Sequence, residues 1–493
     1  GGIDNISFWN RELSESEVEA LMNISLTGQE QDLAAFYKFN AGMGEKLYDY
    51  SGNENHGNIY GNPTWVENIY GCTDELATNY NAEANWNDSS CTYPDNGNYS
   101  LSFDGNDDSV TGNNISLDVS QLNLLTLSAW VKPNRDDALG RVFSYYPTGS
   151  AAQAYAITID HGKIYFLAGD GATAAEEFEQ QGQGNVSNSQ LNLNQWNHIV
   201  VTYDNEALRL YLNGNLNFEH YVDASFDTVN NGEFFIGSHS VYNSHTESFQ
   251  VFDGEIDDIT IFNIAYDEIE IKELFNNSSI IYSNNLLAHY KFDAGAGNIL
   301  YDHSGNGNHG SINEATWVEN IYGCTDELAE NYSLDANWGD DSCEYLDNGD
   351  YSLSFDGTPD SYVELNNSTW ANLSSGTISG SFIGDDVFCD GCPSGSGRNR
   401  YLIGEEGSTF STGGLAIRVG DGKIWATTNN TDECLVESET QIVNANTEYK
   451  FLMTWNKMLG SIKFYLLSDN GMEILSKSSC TSASSNNPDI DYI

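Results

Sequence analysis

The chain has 493 residues, of which 39% are hydrophobic and 12% aromatic, enough to build packed cores in about three domains. Its 18 basic and 73 acidic residues give a formal net charge of −55 at pH 7. Such an acidic chain cannot neutralise a run of phosphates, so the charge argues against nucleic acids and anionic membranes as partners. No apolar run approaches the roughly 18 to 20 residues that cross a bilayer, so we expect no membrane insertion. Divalent cations and neutral sugars remain compatible partners.

The eight cysteines indicate disulfides and an extracellular location. Two pairs repeat the same spacing of 19 positions, and the other four cysteines lie in the last quarter of the chain. Repeated pairs in an acidic, polar chain are typical of an oxidising compartment, whereas zinc binding through the C-x-x-C sequence is the alternative. We predict Cys72–Cys91 and Cys324–Cys343 bridges, and favour Cys389–Cys392 and Cys434–Cys480 among three pairings of the remaining four.

Internal repeats define the organisation of the chain. The matches, at offsets of 252 or 253, join residues 1–10 to 254–263, 34–59 to 287–312, 64–86 to 316–338, and 99–105 to 351–357. The chain therefore holds one complete unit and two partial ones, and we expect it to be a monomeric fragment of a longer protein.

The complete unit is expected to be an antiparallel β-sandwich. Short runs rich in aliphatic and aromatic residues alternate with turn signals such as Asp104-Gly105, His161-Gly162 and Asn213-Gly214. Helix starts follow two strands, with Ser14 and Asp267 as capping residues, and these helices are expected to cover one end of the sandwich.

These patterns predict an all-β fold of tandem sandwiches with short capping helices. The expected domains are a remnant at 1–25, a complete unit at 33–279 with an insert at 68–96, and a diverged, truncated unit at 285–493 with an insert at 320–348. Because the closing strand of the last unit would fall beyond Ile493, we expect 33–279 to fold alone and 285–493 to fold poorly.

Four stretches in order resemble the laminin G-like jellyroll of the concanavalin A-like lectin/glucanase superfamily. They read LSFDGNDDSV, LTLSAWVKP, WNHIVVTYDNEALRLYLNG and FDGEIDDITIFNIAY. The cysteine-bracketed GCTDELATNYNAEANWNDSSC resembles a module repeated in large secreted proteins of marine bacteria. The resemblance implies a jellyroll fold on a secreted or cell-surface protein.

Catalysis is not expected. Some glycosidases of the superfamily carry an E-x-D-x-E strand, and Glu255 begins a similar stretch, but the second acid is missing and the first copy has Gly2 at that position. A retaining glycosidase needs two carboxyl groups about 5 Å apart.

Calcium is the expected cofactor. Asp104, Asn106 and Asp108 place oxygen donors at alternate positions, as calcium prefers, although an Asx turn is the alternative. Strict alternation would place Asp257 on the same face as Ile259, where a carboxylate needs a compensating partner. The resemblance implies that Asp257 is a structural calcium ligand.

A carbohydrate or surface glycoconjugate is the expected partner. Aromatic and histidine side chains in or beside loops are the candidate ligand-binding residues: Tyr145, Tyr146, Tyr155, His239, Tyr242 and His245. We therefore expect a non-enzymatic array of adhesion or carbohydrate-binding modules supported by calcium. The alternatives are a structural spacer or stalk of a giant surface protein and the accessory domains of a carbohydrate-active enzyme.

Overall fold

The structure, a computed structural model, describes most of the chain. The described residues are 1–14, 17–18, 20–21, 25–115, 117–120, 123–136, 139–147, 154–168, 186–221, 226, 232–238, 251–276, 285–355, 363, 375–383, 400–403, 416–420, 423–427, 435–438, 442–444, 446–456, 461–468 and 471–477.

The chain divides into two compact units, Gly1–Leu346 and Asp347–Ile493. The strands of the first unit are β1 (Ile6–Trp9), β2 (Leu33–Tyr37), β3 (Lys46–Leu47), β4 (Gly57–Asn58), β5 (Tyr70–Gly71), β6 (Trp86–Asn87), β7 (Tyr99–Asp104), β8 (Ser109–Ile115), β9 (Leu125–Pro133), β10 (Gly140–Pro147), β11 (Tyr155–Asp160), β12 (Lys163–Ala168), β13 (Asn197–Tyr203), β14 (Ala207–Leu212), β15 (Asn215–Tyr221), β16 (Gly232–Ile236), β17 (Asp253–Phe262), β18 (Leu286–Tyr290), β19 (Ile299–Leu300), β20 (Gly310–Asn313), β21 (Thr316–Glu319), β22 (Tyr322–Gly323) and β23 (Trp338–Gly339). Helix α1 spans Glu268–Asn276. The strands of the second unit are β24 (Ser375–Ile383), β25 (Arg400–Ile403), β26 (Ala416–Gly420), β27 (Lys423–Thr427), β28 (Leu435–Glu437), β29 (Glu448–Asn456), β30 (Ser461–Ser468) and β31 (Gly471–Lys477).

Two antiparallel sheets form the sandwich of the first unit. One has the order β12-β11-β10-β16-β8-β20-β19, and the other has the order β15-β14-β13-β9-β17-β7-β21 with β18 also paired to β17. Alternating residues of β9, Leu125, Leu127, Ala129 and Val131, are fully buried in the core between the sheets. The period-2 pattern therefore forms strands because one face of each sheet is buried against the other.

The predicted boundary between 279 and 285 differs from the observed organisation. Residues 286–319, here called the second closing segment, supply strands to both sheets of the first unit: β18 pairs with β17, β20 with β8, and β21 with β7. The segment thus completes the preceding sandwich instead of beginning the next one. Sequence repeats fix a period but do not say where within the period a domain begins.

The first copy of this segment, residues 33–67, shows the same register and is here called the first closing segment. Its strand β2 pairs with β1, with Ile6 opposite Tyr37, just as Ile259 lies opposite Tyr290 in β17 and β18. The repeated sequence therefore folds in the same way in both places.

Helix α1 has the predicted capping box but a different position. Asp267 Oδ1 accepts a hydrogen bond from the Glu270 amide at 2.9 Å, and Glu270 Oε2 accepts one from the Asp267 amide at 2.7 Å. The helix buries Ile271 against Val200 and Tyr211 on the outer face of the β13–β14 sheet. It therefore covers a sheet face, because that face carries apolar side chains of its own.

Each cysteine-bracketed insert is closed by the predicted local disulfide. Cys72 bonds Cys91, and Cys324 bonds Cys343. Each insert also contains one two-residue parallel pairing, β5 with β6 and β22 with β23. The inserts have little apolar core, so the covalent bridge holds the loop closed, worth about 3 kcal/mol in the chain-entropy model. The other four cysteines, Cys389, Cys392, Cys434 and Cys480, lie outside the described residues.

The second unit is a smaller sandwich. Its sheets have the orders β24-β29-β30-β31 and β25-β26-β27-β28, and residues of both sheets, such as Ile417 and Phe464, bury against one another. In the first unit, the corresponding strand β9 pairs with both β13 and β17. Among the described residues of the second unit, β24 pairs only with β29.

Candidate functional site

A bulge in β17 decides where Asp257 points. The pairing of β17 with β9 shifts register between Asp257 and Thr260, and Asp258 has a φ of 45°. Ile256 and Ile259 both enter the core, while Asp257 lies opposite Trp130 on the outer face of the sheet. The expectation that Asp257 shares the inner face with Ile259 is therefore wrong, because a bulge breaks strict alternation and redirects a side chain.

Asp257 is nevertheless buried, because the second insert covers it. Its carboxylate accepts hydrogen bonds from Asn320 Nδ2 at 2.9 Å and from the Asp258 amide at 2.8 Å. Burial, and then the negative charges of Asp258 and Asp293, raise the pKa of Asp257 well above its ordinary value. Burial and neighbouring acids also raise the pKa of Asp293 to about 6. Burial, and then the negative charges of Asp257, Asp258 and Asp293, raise the pKa of Tyr322 to about 12.

The surroundings of Asp257, here called the acidic pocket, also contain an amide oxygen that is available to accept a hydrogen bond or bind a cation. Asn320 is 6% exposed, and its buried Oδ1 has no hydrogen-bond partner among the described residues. Carboxylate and amide oxygens are the ligands that calcium prefers, and a cation would offset the burial of negative charge. The oxygen donors of Asp257 and Asn320 are therefore of the type that calcium prefers, while Asp257, Asp258 and Asp293 do not form a group of carboxylates within 4.8 Å of one another. Neither Asp293 nor Asn320 was a candidate from the sequence; the replacement of Asn40 by an acid in the second copy was the available signal for Asp293.

The loop after β7 forms a separate acidic group. Carboxylate oxygens of Asp104, Asp107 and Asp108 lie within 4.8 Å of one another. Asn106, predicted as an oxygen donor, instead donates from Nδ2 to Asp104 Oδ2 at 2.9 Å, and its amide donates to Asp104 Oδ1. These bonds form the Asx turn that was the alternative to a metal loop. Among the described residues, Asp257 is not part of this group.

The three candidate tyrosines of the loops are core residues. Tyr145, Tyr146 and Tyr155 are at most 1% exposed. The Tyr155 hydroxyl donates to the Leu117 carbonyl at 2.9 Å, and the Tyr145 hydroxyl accepts from the Leu117 amide at 3.1 Å. The rings of Tyr145 and Tyr155 pack between the sheets, and Tyr146 is buried beside Phe235, so none of the three is exposed for stacking on a ligand. His239, Tyr242 and His245 lie outside the described residues.

Glu255 is held in an ion pair. Its carboxylate accepts from Lys132 Nζ at 3.0 Å and from the Ser100 hydroxyl at 3.2 Å, with both charged side chains 14% exposed. The salt bridge ties β17 to β9 and gives this carboxylate a structural role in the sheet.

An open, polar pocket lies at one end of a sheet in the second unit. Its volume is about 470 Å³, and the residues that line it offer one half-buried tyrosine, several hydroxyl groups, an amide and one lysine, while the Trp455 side chain belongs to the buried core. The lining residues come from β24, β29 and β30: Ser375, Gly376, Thr377, Thr454, Trp455, Asn456, Ser461, Lys463 and Tyr465. The sequence did not single them out, because their proximity depends on strand register: Thr377 and Lys463 both lie opposite Thr454.

Comparison with known proteins relates the central part of the chain to one superfamily. Residues 104–272, about a third of the chain, match the laminin G-like family of the Concanavalin A-like lectin/glucanases superfamily. The antiparallel sandwich is accordingly a concanavalin A-like jellyroll. No curated protein is significantly similar to the chain in sequence.

Several solved structures are similar to the chain. A Bacteroides ovatus protein to which carbohydrate binding is attributed is 16% identical, with 48% of this chain and 66% of that chain covered and a TM-score of 0.34. Mouse laminin alpha1 chain domains LG4-5 are 12% identical, with 80% of each chain covered and a TM-score of 0.27. The Ruminococcus gnavus sialidase module CBM40, bound to sialyllactose, is 12% identical, with 36% of this chain and 98% of that chain covered and a TM-score of 0.26. No helix among the described residues is long and apolar enough to span a membrane.

Proposed function

We propose that the chain is a non-enzymatic, extracellular carbohydrate-binding protein whose ligand occupies the cavity of the second unit. The observation that carries the proposal is the combination of the Tyr465 ring with polar groups around that cavity. Tyr465 is half-buried and offers part of its ring, while Thr377, Thr454 and Asn456 can exchange hydrogen bonds with sugar hydroxyls. The superfamily match and the two disulfides support a lectin-like, extracellular role.

A glycan array probed with the full chain tests this proposal. We expect binding to a restricted set of glycans and a loss of at least tenfold in affinity for both Tyr465→Ala and Thr454→Val. Tyr221→Ala serves as the control, because Tyr221 is 69% exposed in the first unit and should leave binding unchanged. Retained binding in both cavity variants would show that the ligand binds elsewhere. The absence of any glycan ligand would favour the spacer or accessory-domain alternatives.

We further propose that calcium supports the first unit at the acidic pocket under the second insert. The carboxylates of Asp257 and Asp104 both accept hydrogen bonds already, and what favours the site of Asp257 is the neighbouring Asn320 Oδ1, which has no hydrogen-bond partner among the described residues. Binding only to the folded state would add about 2.7 kcal/mol when free calcium exceeds its dissociation constant a hundredfold.

Thermal unfolding of the full chain in calcium and in magnesium at equal ionic strength tests the calcium site. Calcium should raise the melting temperature more than magnesium, which demands octahedral geometry and resists dehydration. Asp257→Asn should remove most of this difference, whereas Asp104→Asn should preserve it. Equal increases of the melting temperature in the two salts would mean that charge screening, and not a specific calcium site, causes the stabilisation.

A further inference from the structure

The first insert is docked on the second closing segment through one aromatic and charged contact, here called the Tyr93 joint. The Tyr93 ring stacks on Tyr301 at 5.3 Å and meets the rings of His303 and His309 edge-on at 5.2 and 5.1 Å. Tyr93 Oη and His309 Nε2 both approach Asp74 Oδ2, at 2.6 and 2.7 Å. The joint leaves Tyr93 only 9% exposed.

The direction of these hydrogen bonds is fixed by the backbone. His309 Nδ1 accepts from the Asp302 amide at 2.9 Å, so the ring proton lies on Nε2 and is donated to Asp74. Burial opposes the charge of Asp74, but the hydrogen bonds from Tyr93, Leu76 and His309 outweigh it and lower the pKa of Asp74. The joint is therefore a satisfied contact between a carboxylate and two donors.

Each half of the joint occurs a second time among the described residues, with its contact residues exposed. In the second insert, Tyr345 Oη donates to Asp326 Oδ2 at 2.7 Å, as Tyr93 does to Asp74, yet Tyr345 is 57% exposed. We call residues 320–346 the knob.

The matching half lies in the first closing segment. Tyr48 and His56 take the places of Tyr301 and His309, and His56 Nδ1 accepts from the Asp49 amide at 3.0 Å. Tyr48 is 49% exposed and His56 is exposed, with its Nε2 in the donor state. We call residues 45–57 the socket.

We infer that the knob of one molecule binds the socket of a second copy of this chain and rebuilds the Tyr93 joint between them. The evidence is the joint itself, in which Tyr93 and Asp74 dock on Tyr301 and His309. The socket repeats this pair as Tyr48 and His56 and has Tyr50 where the joint has His303. Because the knob and the socket are different surfaces, the contact is heterologous, and repetition gives an open head-to-tail chain of molecules. The net charge of −55 opposes association, so salt should strengthen it by screening.

Sedimentation velocity of the full chain over a range of concentrations, in 0.15 M and 1 M sodium chloride as test conditions, measures this association. Wild-type chains should form dimers and longer species, more at high salt. Tyr345→Ala and His56→Ala should each weaken association at least tenfold, because each removes one half of the joint. Tyr332→Ala is the matched control: Tyr332 is a 38% exposed residue of the same insert, outside the proposed contact.

Mixing the two defective variants distinguishes the joint from other modes of association. The Tyr345→Ala chain keeps its socket and the His56→Ala chain keeps its knob, so an equimolar mixture should form dimers but no longer species. A wild type that is monomeric at every concentration and salt would overturn the proposal. So would association by both variants at wild-type strength, or a mixture no more associated than its components. Unchanged near-ultraviolet circular dichroism confirms that the variants are folded.

Discussion

The two closing segments share one local structure but differ in what covers them. In the first, Asp49 Oδ1 accepts hydrogen bonds from the amides of Phe36 and Ser51, and in the second Asp302 Oδ1 accepts the equivalent bonds. Yet Asp302 and Tyr290 are fully buried, whereas Asp49 is 8% exposed and Tyr37 only half-buried. The first segment pairs with the single strand β1, while the second joins two sheets. Short-range hydrogen bonds thus set the local fold, and the partner sheets determine burial and stability.

Removing the second closing segment should give the largest effect. A chain of residues 68–279 loses β18 to β21, which takes one neighbouring strand from each of β7, β8 and β17 and uncovers the core around Leu101 and Ile261. We expect no cooperative thermal transition for 68–279, but a cooperative one for 68–346. A cooperative melt of 68–279 would show that the sandwich folds without residues 286–319, as the boundary predicted between 279 and 285 implies. Deleting residues 1–67 from the full chain should leave the transition of the first unit unchanged.

Two equivalent tyrosines, Tyr290 and Tyr37, test the difference in burial between the two closing segments. Tyr290→Ala removes a fully buried ring and its hydrogen bond to the Asn308 carbonyl, and should cost about 3 to 5 kcal/mol in the free energy of unfolding. Tyr37→Ala removes the equivalent ring from the first segment and should leave the main transition of the first unit unchanged. Urea unfolding of both variants measures the difference. Similar losses would mean that both segments contribute to one cooperative unit.

The smallest expected effect concerns pH and Asp293, an acid of the second segment at the position where the first segment has Asn40. The folded state raises the pKa of Asp293 to about 6, so at pH 4 to 6 the folded state binds more protons than the unfolded state. Stability should therefore fall as the pH rises through this range. Asp293→Asn places at this position the residue type of Asn40 in the first segment. It should reduce the pH-dependent decrease in the free energy of unfolding by about 1 kcal/mol, a figure discounted for partial solvent exposure.

Asn40→Asp is the reciprocal control for the pH experiment. Asn40 is exposed, so an acid there should leave the pH dependence of stability as it is in the wild type. Unfolding in urea at several pH values, without calcium, provides the measurement. An unchanged slope for Asp293→Asn would show that this carboxyl does not titrate with a raised pKa.

The strands, the local disulfides and the start of the helix were predictable because each depends on residues that are near one another in sequence. Alternating apolar side chains indicated β9 and β13, the spacing of Cys72 and Cys91 indicated a local bridge, and Asp267 with Glu270 indicated the start of α1. The candidate site was less predictable. Tyr145 and Tyr155 lie near predicted loops in the sequence and were therefore candidate ligand-binding residues. Both are buried, because burial depends on the sheet that packs against them.

The sequence alone determined the repeat period, the all-β class and the hydrogen bonds within each repeated segment, since these depend on residue order over short distances. Only the tertiary structure decided that 286–319 closes the preceding sandwich, that a bulge turns Asp257 outward beneath Asn320, and that Thr377, Thr454 and Lys463 line one cavity. The physical reason is that strand partners and register are chosen by long-range burial. Similar local sequences acquire different environments wherever the neighbouring sheet differs.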